Sequence, residues 1–173
     1  DQSGHWSYQI NNFASNVQAL AQGETAVDTF HVNVADEHGA ITERDINVTV
    51  TGVNEAPTAL HDVASGTENQ TLTIDVLAND SDRDHGAVLT LASATVPNGQ
   101  GSVSIVNNQV VFNPGSNFDH LAQGQTATVV VSYTIHDEYG ATASNTATIT
   151  VTGTNDAPVA VADVASGTEN QTL

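Results

Sequence analysis

The chain has 173 residues, 20 of them Asp or Glu against two Arg, with no Lys, Cys or Met and a formal net charge of -18. The missing cysteine excludes disulfides, thiolate metal sites and thiol nucleophiles, and the missing lysine excludes Schiff-base chemistry, a P-loop and a Lys–Asn isopeptide cross-link. So acidic a chain repels phosphate backbones and anionic lipid and leaves multivalent cations as its natural partners, while 39% apolar residues are too many for a disordered acidic tail.

The first patterned stretch, Gly4-His5-Trp6-Ser7-Tyr8-Gln9-Ile10, alternates as a strand does and predicts Trp6 and Tyr8 in a core. Residues 62–72 (DVASGTENQTL) recur letter for letter as residues 163–173. The same offset, 101 residues, aligns Leu20-Ala21-Gln22-Gly23 with Leu121-Ala122-Gln123-Gly124, and Asp36-Glu37 with Asp137-Glu138. That periodicity predicts a tandem array of domains of about 100 residues. Residues 1–53 read as the C-terminal half of a truncated repeat, 54–154 as one complete repeat, and 155–173 as a linker and the start of a third. No run of 18 apolar residues marks a membrane helix, and the first residues have neither the basic start nor the apolar run of a signal peptide. The expectation is an export signal outside this stretch.

Seven short strands are predicted in the complete repeat, with no helical periodicity. The first lies near 59–63. The second spans 71–77, with Leu72, Ile74 and Val76 on one face and a solvated Asp75 on the other. The third spans 88–94, with Leu89 and Leu91 inward, and ends at Pro97-Asn98-Gly99. Val103 and Ile105 form a fourth, Asn107-Asn108 reverses the chain, and Val110 and Phe112 form a fifth. A long sixth carries Val129, Val131, Tyr133 and Ile135, and a seventh Ala147, Ile149 and Val151. Short Thr- and Val-rich strands at this spacing read as an all-β protein of Ig-like or cadherin-like β-sandwich repeats in tandem.

Threading those strands up and down places the acids. Loops two–three and six–seven return to the end where the chain enters, which gathers Asn54 and Glu55 with Asp80, Asp82, Asp84 and Asp137. Glu68, Asp119, Asn155 and Asp156 fall at the other end, and Glu169 repeats Glu68 in the third unit. Carboxylates about 5 Å apart repel by roughly 3 kcal/mol per pair at an effective dielectric near 20, so the cluster calls for a cation. Calcium takes 6 to 8 oxygens in flexible geometry, magnesium demands a tighter octahedron, and zinc wants His or Cys. His5, His31, His38, His61, His85, His120 and His136 show no zinc-type spacing, and Leu91 stands where an EF-hand loop starting at Asp80 needs Glu. Each acid also has a plainer reading: Asp favours turns, Asp137 before Gly140 suits a hairpin, and Ala-Pro linkers are ordinary spacers. Asp62 and Asp163 are weaker candidates. Paired acids in solvated loops offer no cleft, so no enzyme is expected, and Tyr139 and Phe118 are the sole aromatic platforms for a carbohydrate- or protein-binding alternative.

Two sets of motifs carry a family resemblance. Gly4-x-Trp6-x-Tyr8, Asp28-x-Phe30, Asp36-x-x-Gly39 and Asn54-Glu55-Ala56-Pro57 resemble the C-terminal half of a VCBS repeat. Asp75-Val76-Leu77-Ala78-Asn79-Asp80-Ser81-Asp82, Tyr133-Thr134-Ile135 and Gly153-Thr154-Asn155-Asp156-Ala157-Pro158 resemble bacterial cadherin-like repeats. The resemblance implies part of a large RTX-type surface adhesin, exported by type I secretion and active in biofilm attachment. Its repeats would be extracellular spacers rigidified by Ca2+ between neighbours, holding a tip that binds surface glycans or proteins. Carried over, the calcium ligands fall on Asp80 and Asp82, Asp137, Asn54-Glu55, Asn155-Asp156 and Glu68. Glu55 departs from the usual Asp, Arg83 interrupts the acidic loop, and no Asp-Arg-Glu motif precedes Leu121.

Overall fold

The computed structural model describes residues 6–170. Gly4 and His5 of the aromatic stretch, and 171–173 of the recurring segment, lie outside the described residues. The described residues form nine strands in chain order: β1 Thr25–Ala35, β2 Ile41–Thr51, β3 Asp62–Thr67, β4 Leu72–Ile74, β5 Thr90–Thr95, β6 Ser102–Val106, β7 Gln109–Asn113, β8 Thr126–His136 and β9 Thr142–Thr152. Two single-turn helices, Ser15–Gln18 and the 3-10 turn Gly115–Phe118, stand at equivalent places in their repeats. The sequence reading had no helix there, because one turn is too short to show a period.

β8 and β9 are the spine of the complete repeat. Alternate residues Val129, Val131, Tyr133 and Ile135 on β8, and Ala147, Ile149 and Val151 on β9, are all buried, as period-two patterning of half-buried strands requires. β9 also takes β3 in parallel, Asp62 opposite Ala147, and β8 takes β5 antiparallel, giving the sheet order β3-β9-β8-β5. A second sheet, β4-β7-β6, covers that face with Ile74, Val110 and Phe112, and Val76, Leu91, Phe118 and Leu121 close the core. This is an all-β, Ig-like sandwich. The β6–β7 reversal at Asn107 and Asn108 has φ of 50 and 64 degrees, the left-handed pair that a type I′ hairpin needs.

Strand ends differ from the sequence reading. The first strand starts at Asp62 rather than 59, because Thr58 is spent on an isolated bridge to Ser81. The second stops at Ile74; a turn from Asp75 to Ala78 lifts the chain out of the sheet, although Val76 still packs inward. β5 begins at Thr90, leaving Val88 exposed, and Ile105 on the edge strand β6 is 39% exposed. Trp6 is the clear correction. It lies outside any strand and is 61% exposed, and Tyr8 touches the remainder edge-on at Phe30. Alternation buries a side chain only where a facing sheet exists.

β1 and β2 form a hairpin running from Thr25 opposite Thr51 to Ala35 opposite Ile41. β8 and β9 pair from Thr126 opposite Thr152 to His136 opposite Thr142, so the 101-residue offset holds bond for bond. The β4–β5 loop, the β8–β9 turn and incoming residues 54–57 share one end of the sandwich, called upper here. Glu68 and the exit from β9 share the lower end, where the Glu68 N–H donates to the Thr152 carbonyl at 3.0 Å.

Candidate metal centre

Asp137 opens the β8–β9 turn and is 1% exposed. Its Oδ1 accepts the N–H groups of Tyr139 and Ala141, each at 2.9 Å, and its Oδ2 accepts Asn54 Nδ2 at 2.9 Å. Burial pushes this carboxyl up, but the bonds from Asn54, Ala141, Tyr139 and Gly140 outweigh it and hold it below the ordinary range. Asp36 makes the same turn in the preceding unit, accepting His38 and Ala40. What Asp137 adds is the tie to the linker.

The neighbouring linker residue faces the β4–β5 loop. Asp84, 6% exposed, accepts the Glu55 N–H at 3.1 Å, and the Asp84 N–H donates to Asp82 Oδ1 at 3.0 Å. Burial first, then the Asp84 and Asp82 carboxylates, push the Glu55 carboxyl up. One oxygen of each acid, Glu55 Oε2, Asp82 Oδ2 and Asp84 Oδ1, is buried without a hydrogen-bond partner. Three orphaned carboxylate oxygens on a linker and the loop facing it are costly unless a cation meets them. As placed, no three Asp, Glu or His side chains among the described residues close round a common point. Like-charged carboxylates repel one another and stand apart where no positive charge draws them together.

Asp80 is hydrogen-bonded elsewhere. Its Oδ1 accepts the Leu60 N–H at 2.7 Å and the Tyr133 hydroxyl at 3.3 Å, tying the approach to β3 onto β8. Asp62 lies beside it with a buried, unpartnered Oδ2. Burial pushes Asp62 up, opposed by the Tyr133 hydroxyl and reinforced by Asp80.

At the lower end Glu68 is 1% exposed. Its Oε1 accepts the N–H and hydroxyl of Thr154, at 2.6 and 2.8 Å, while Oε2 is buried without a partner. Asn155 and Asp156 leave this spot exposed, bonded to each other through Asn155 Nδ2 and the Asp156 carbonyl. Glu169 is exposed in a turn, and Asp119 is exposed. Of the aromatic candidates, Phe118 is core and Tyr139 is 52% exposed.

Two residues absent from the sequence-based set stand at the upper junction. Gln22 Oε1 accepts the Asn54 N–H at 2.8 Å, and Glu24 lies 3.1 Å from His85. The recurrence of Gln22 as Gln123 was a usable signal for the first, whereas Glu24, replaced by Gln125, gave none.

Residues 54–153 match the sequence model of the family described as bacterial cadherin-like domain. Among solved structures, the chain is similar to the crystal structure of protocadherin gamma C5 EC1-3, at 17% identity and a TM-score of 0.36, over 74% of this chain. It spans 43% of that chain's length. No curated protein matches.

Proposed function

The chain belongs to the bacterial cadherin-like domain family, and we propose from that premise that it is a calcium-stiffened extender segment of an extracellular bacterial adhesin. The reading is carried by the three buried, unpartnered oxygens of Glu55, Asp82 and Asp84, which come from a linker and a loop that meet at a repeat boundary. Glu55, Asp82 and Asp84 would hold the ion, with Asn54 and Asp137 bracing the linker through their mutual hydrogen bond. Glu68, with Asn155 and Asp156, would begin the corresponding site at the next boundary, completed by the following repeat. Calcium supplies a hard, flexible coordination centre that offsets carboxylate repulsion. Without that offset the acids push apart and loosen the linker; with it, neighbouring repeats share ligands and the array resists bending. The resemblance to VCBS repeats supports an RTX-type surface protein delivered by type I secretion, whose tip binds glycans or proteins. The family fold is an adhesive and structural one, and no catalytic role is proposed.

Thermal melting and small-angle scattering of the 173-residue chain, in EDTA and in about 5 mM calcium, test the reading. An excess of about tenfold over Kd adds roughly 1.4 kcal/mol per site, or about 5–10 °C in Tm for a domain of this size. The Glu55→Gln, Asp82→Asn, Asp84→Asn variant should lose both that gain and the narrowing of shape. A wild-type chain indifferent to calcium in both measurements would overturn the proposal.

A further inference from the structure

The upper loop of the complete repeat divides its side chains between two tasks. Asp82 and Asp84 lie on the Glu55 side, while Arg83 and His85 are exposed and reach the preceding unit. Arg83 Nη1 donates to Gln18 Oε1 at 3.2 Å, the His85 N–H donates to the Ala19 carbonyl at 2.9 Å, and His85 Nδ1 lies 3.1 Å from Glu24 Oε2. Gln22 adds its bond to the Asn54 N–H. None of these contacts uses the three orphaned oxygens.

The receiving surface is held in shape by its own bonds. Glu24 Oε2 accepts the Ala21 N–H at 2.9 Å, and the Gly23 N–H donates to the Gly52 carbonyl at 3.1 Å. The same frame recurs at the lower end of the complete repeat. Gln125 Oε1 accepts the Ala122 N–H at 2.8 Å, and the Gly124 N–H donates to the Gly153 carbonyl at 3.0 Å. There Asp119 stands in the place of Gln18, His120 in that of Ala19 and Gln125 in that of Glu24, all three exposed. The sequence beyond restarts the repeat, residues 163–173 being identical to 62–72.

We propose that successive repeats are joined by a direct, metal-independent clasp. Arg83 and His85 seat on the 18–24 surface of the unit before, and the 119–125 surface takes the matching loop of the next repeat of the same chain. Asp119 offers a carboxylate where Gln18 offers an amide, which favours an arginine at the position of Arg83. Exposed contacts of this kind add little stability; their effect is on direction, limiting the angles at which one repeat leaves another. The clasp goes beyond the calcium reading and does not rest on it.

The test is a distance distribution between spin labels on Asn33→Cys and Ser104→Cys in the otherwise cysteine-free 173-residue chain, recorded in EDTA so that calcium plays no part. Both label sites are exposed. The parent chain should give a distribution narrower than a free linker's, Arg83→Ala with His85→Ala should widen it about twofold toward that limit, and Gln18→Glu, which imitates Asp119, should narrow it. Unchanged circular dichroism in the variants separates a lost clasp from a lost fold. Equal widths in parent and Arg83→Ala/His85→Ala would overturn the clasp, whether or not calcium later narrows either one.

Discussion

Asp137 and Glu55 are acids at the same end of one sandwich, and their hydrogen bonds give them opposite energetics. Asp137 accepts three N–H donors from its own turn and from Asn54, so Asp137→Ala leaves three part-buried donors unmet. Chemical denaturation in EDTA should show a loss of about 2–4 kcal/mol. Glu55 accepts nothing comparable and is pushed up by burial and by Asp84 and Asp82, so Glu55→Gln should match or exceed wild-type stability in EDTA while losing the calcium gain. Asp62 supplies a pH dependence. Its folded pKa is raised, by burial first, so its contribution is full below the ordinary carboxylate value and is lost as pH rises through the raised one. Asp62→Asn should therefore melt above wild type at about pH 7, with the difference vanishing near pH 3; a constant difference would refute the assignment. The acids of the upper loop were legible from their alternate spacing, but spacing grouped Asp80 with Asp82 and Asp84. What separates it is the Tyr133 hydroxyl, 53 residues away, which no local pattern reveals.

Among the elements, the inward residues of β8 and β9 were read correctly because each strand has a buried and an open face, whereas β1 and β2 were not singled out as strands. The end of a short element was not legible: β4 keeps three residues because a turn, rather than the end of the apolar pattern, terminates it. The β6–β7 turn shows a second limit. Asn107-Asn108 signalled the reversal, yet Asn108 also accepts the Leu91 N–H at 2.7 Å and donates to the Leu89 carbonyl at 3.2 Å, fastening the turn to the start of β5. Asn108→Gly, favourable for a type I′ turn taken alone, should instead cost about 1–2 kcal/mol here. Asn107→Gly should stay within about 0.5 kcal/mol of wild type, and comparing the two by urea denaturation separates backbone preference from the side-chain tie. Gly153 fixes the lower loop by close approach: a Cβ there would lie 2.5 Å from the Ala122 carbonyl oxygen and 2.7 Å from Leu121 Cβ.

At the scale of the whole molecule, the recurrence at an offset of 101 residues became a shared register in the β1–β2 and β8–β9 hairpins, down to the paired turns at Asp36 and Asp137. Repeat order was legible because similar letters fold alike when they have the same partners; the exposed Trp6, and residues 163–168, which repeat β3 without forming a strand, mark where that condition is unmet. The charge belongs to this scale too. With a formal net charge of -18 and three orphaned oxygens at its upper boundary, the chain carries both diffuse and local self-repulsion. Salt screens the diffuse part: the Debye length falls from about 30 Å at 0.01 M to about 3 Å at 1 M. Melting temperature in EDTA should therefore climb with sodium chloride across that range. Local repulsion between buried carboxylates is screened far less, so Asp82→Asn with Asp84→Asn should raise the whole curve and leave its slope nearly unchanged. A parent curve flat in salt would mean that the surface acids are too widely spread to oppose folding. A variant that flattened the slope would place the repulsion in the upper loop alone, and calcium bound there would then relieve most of what the net charge costs.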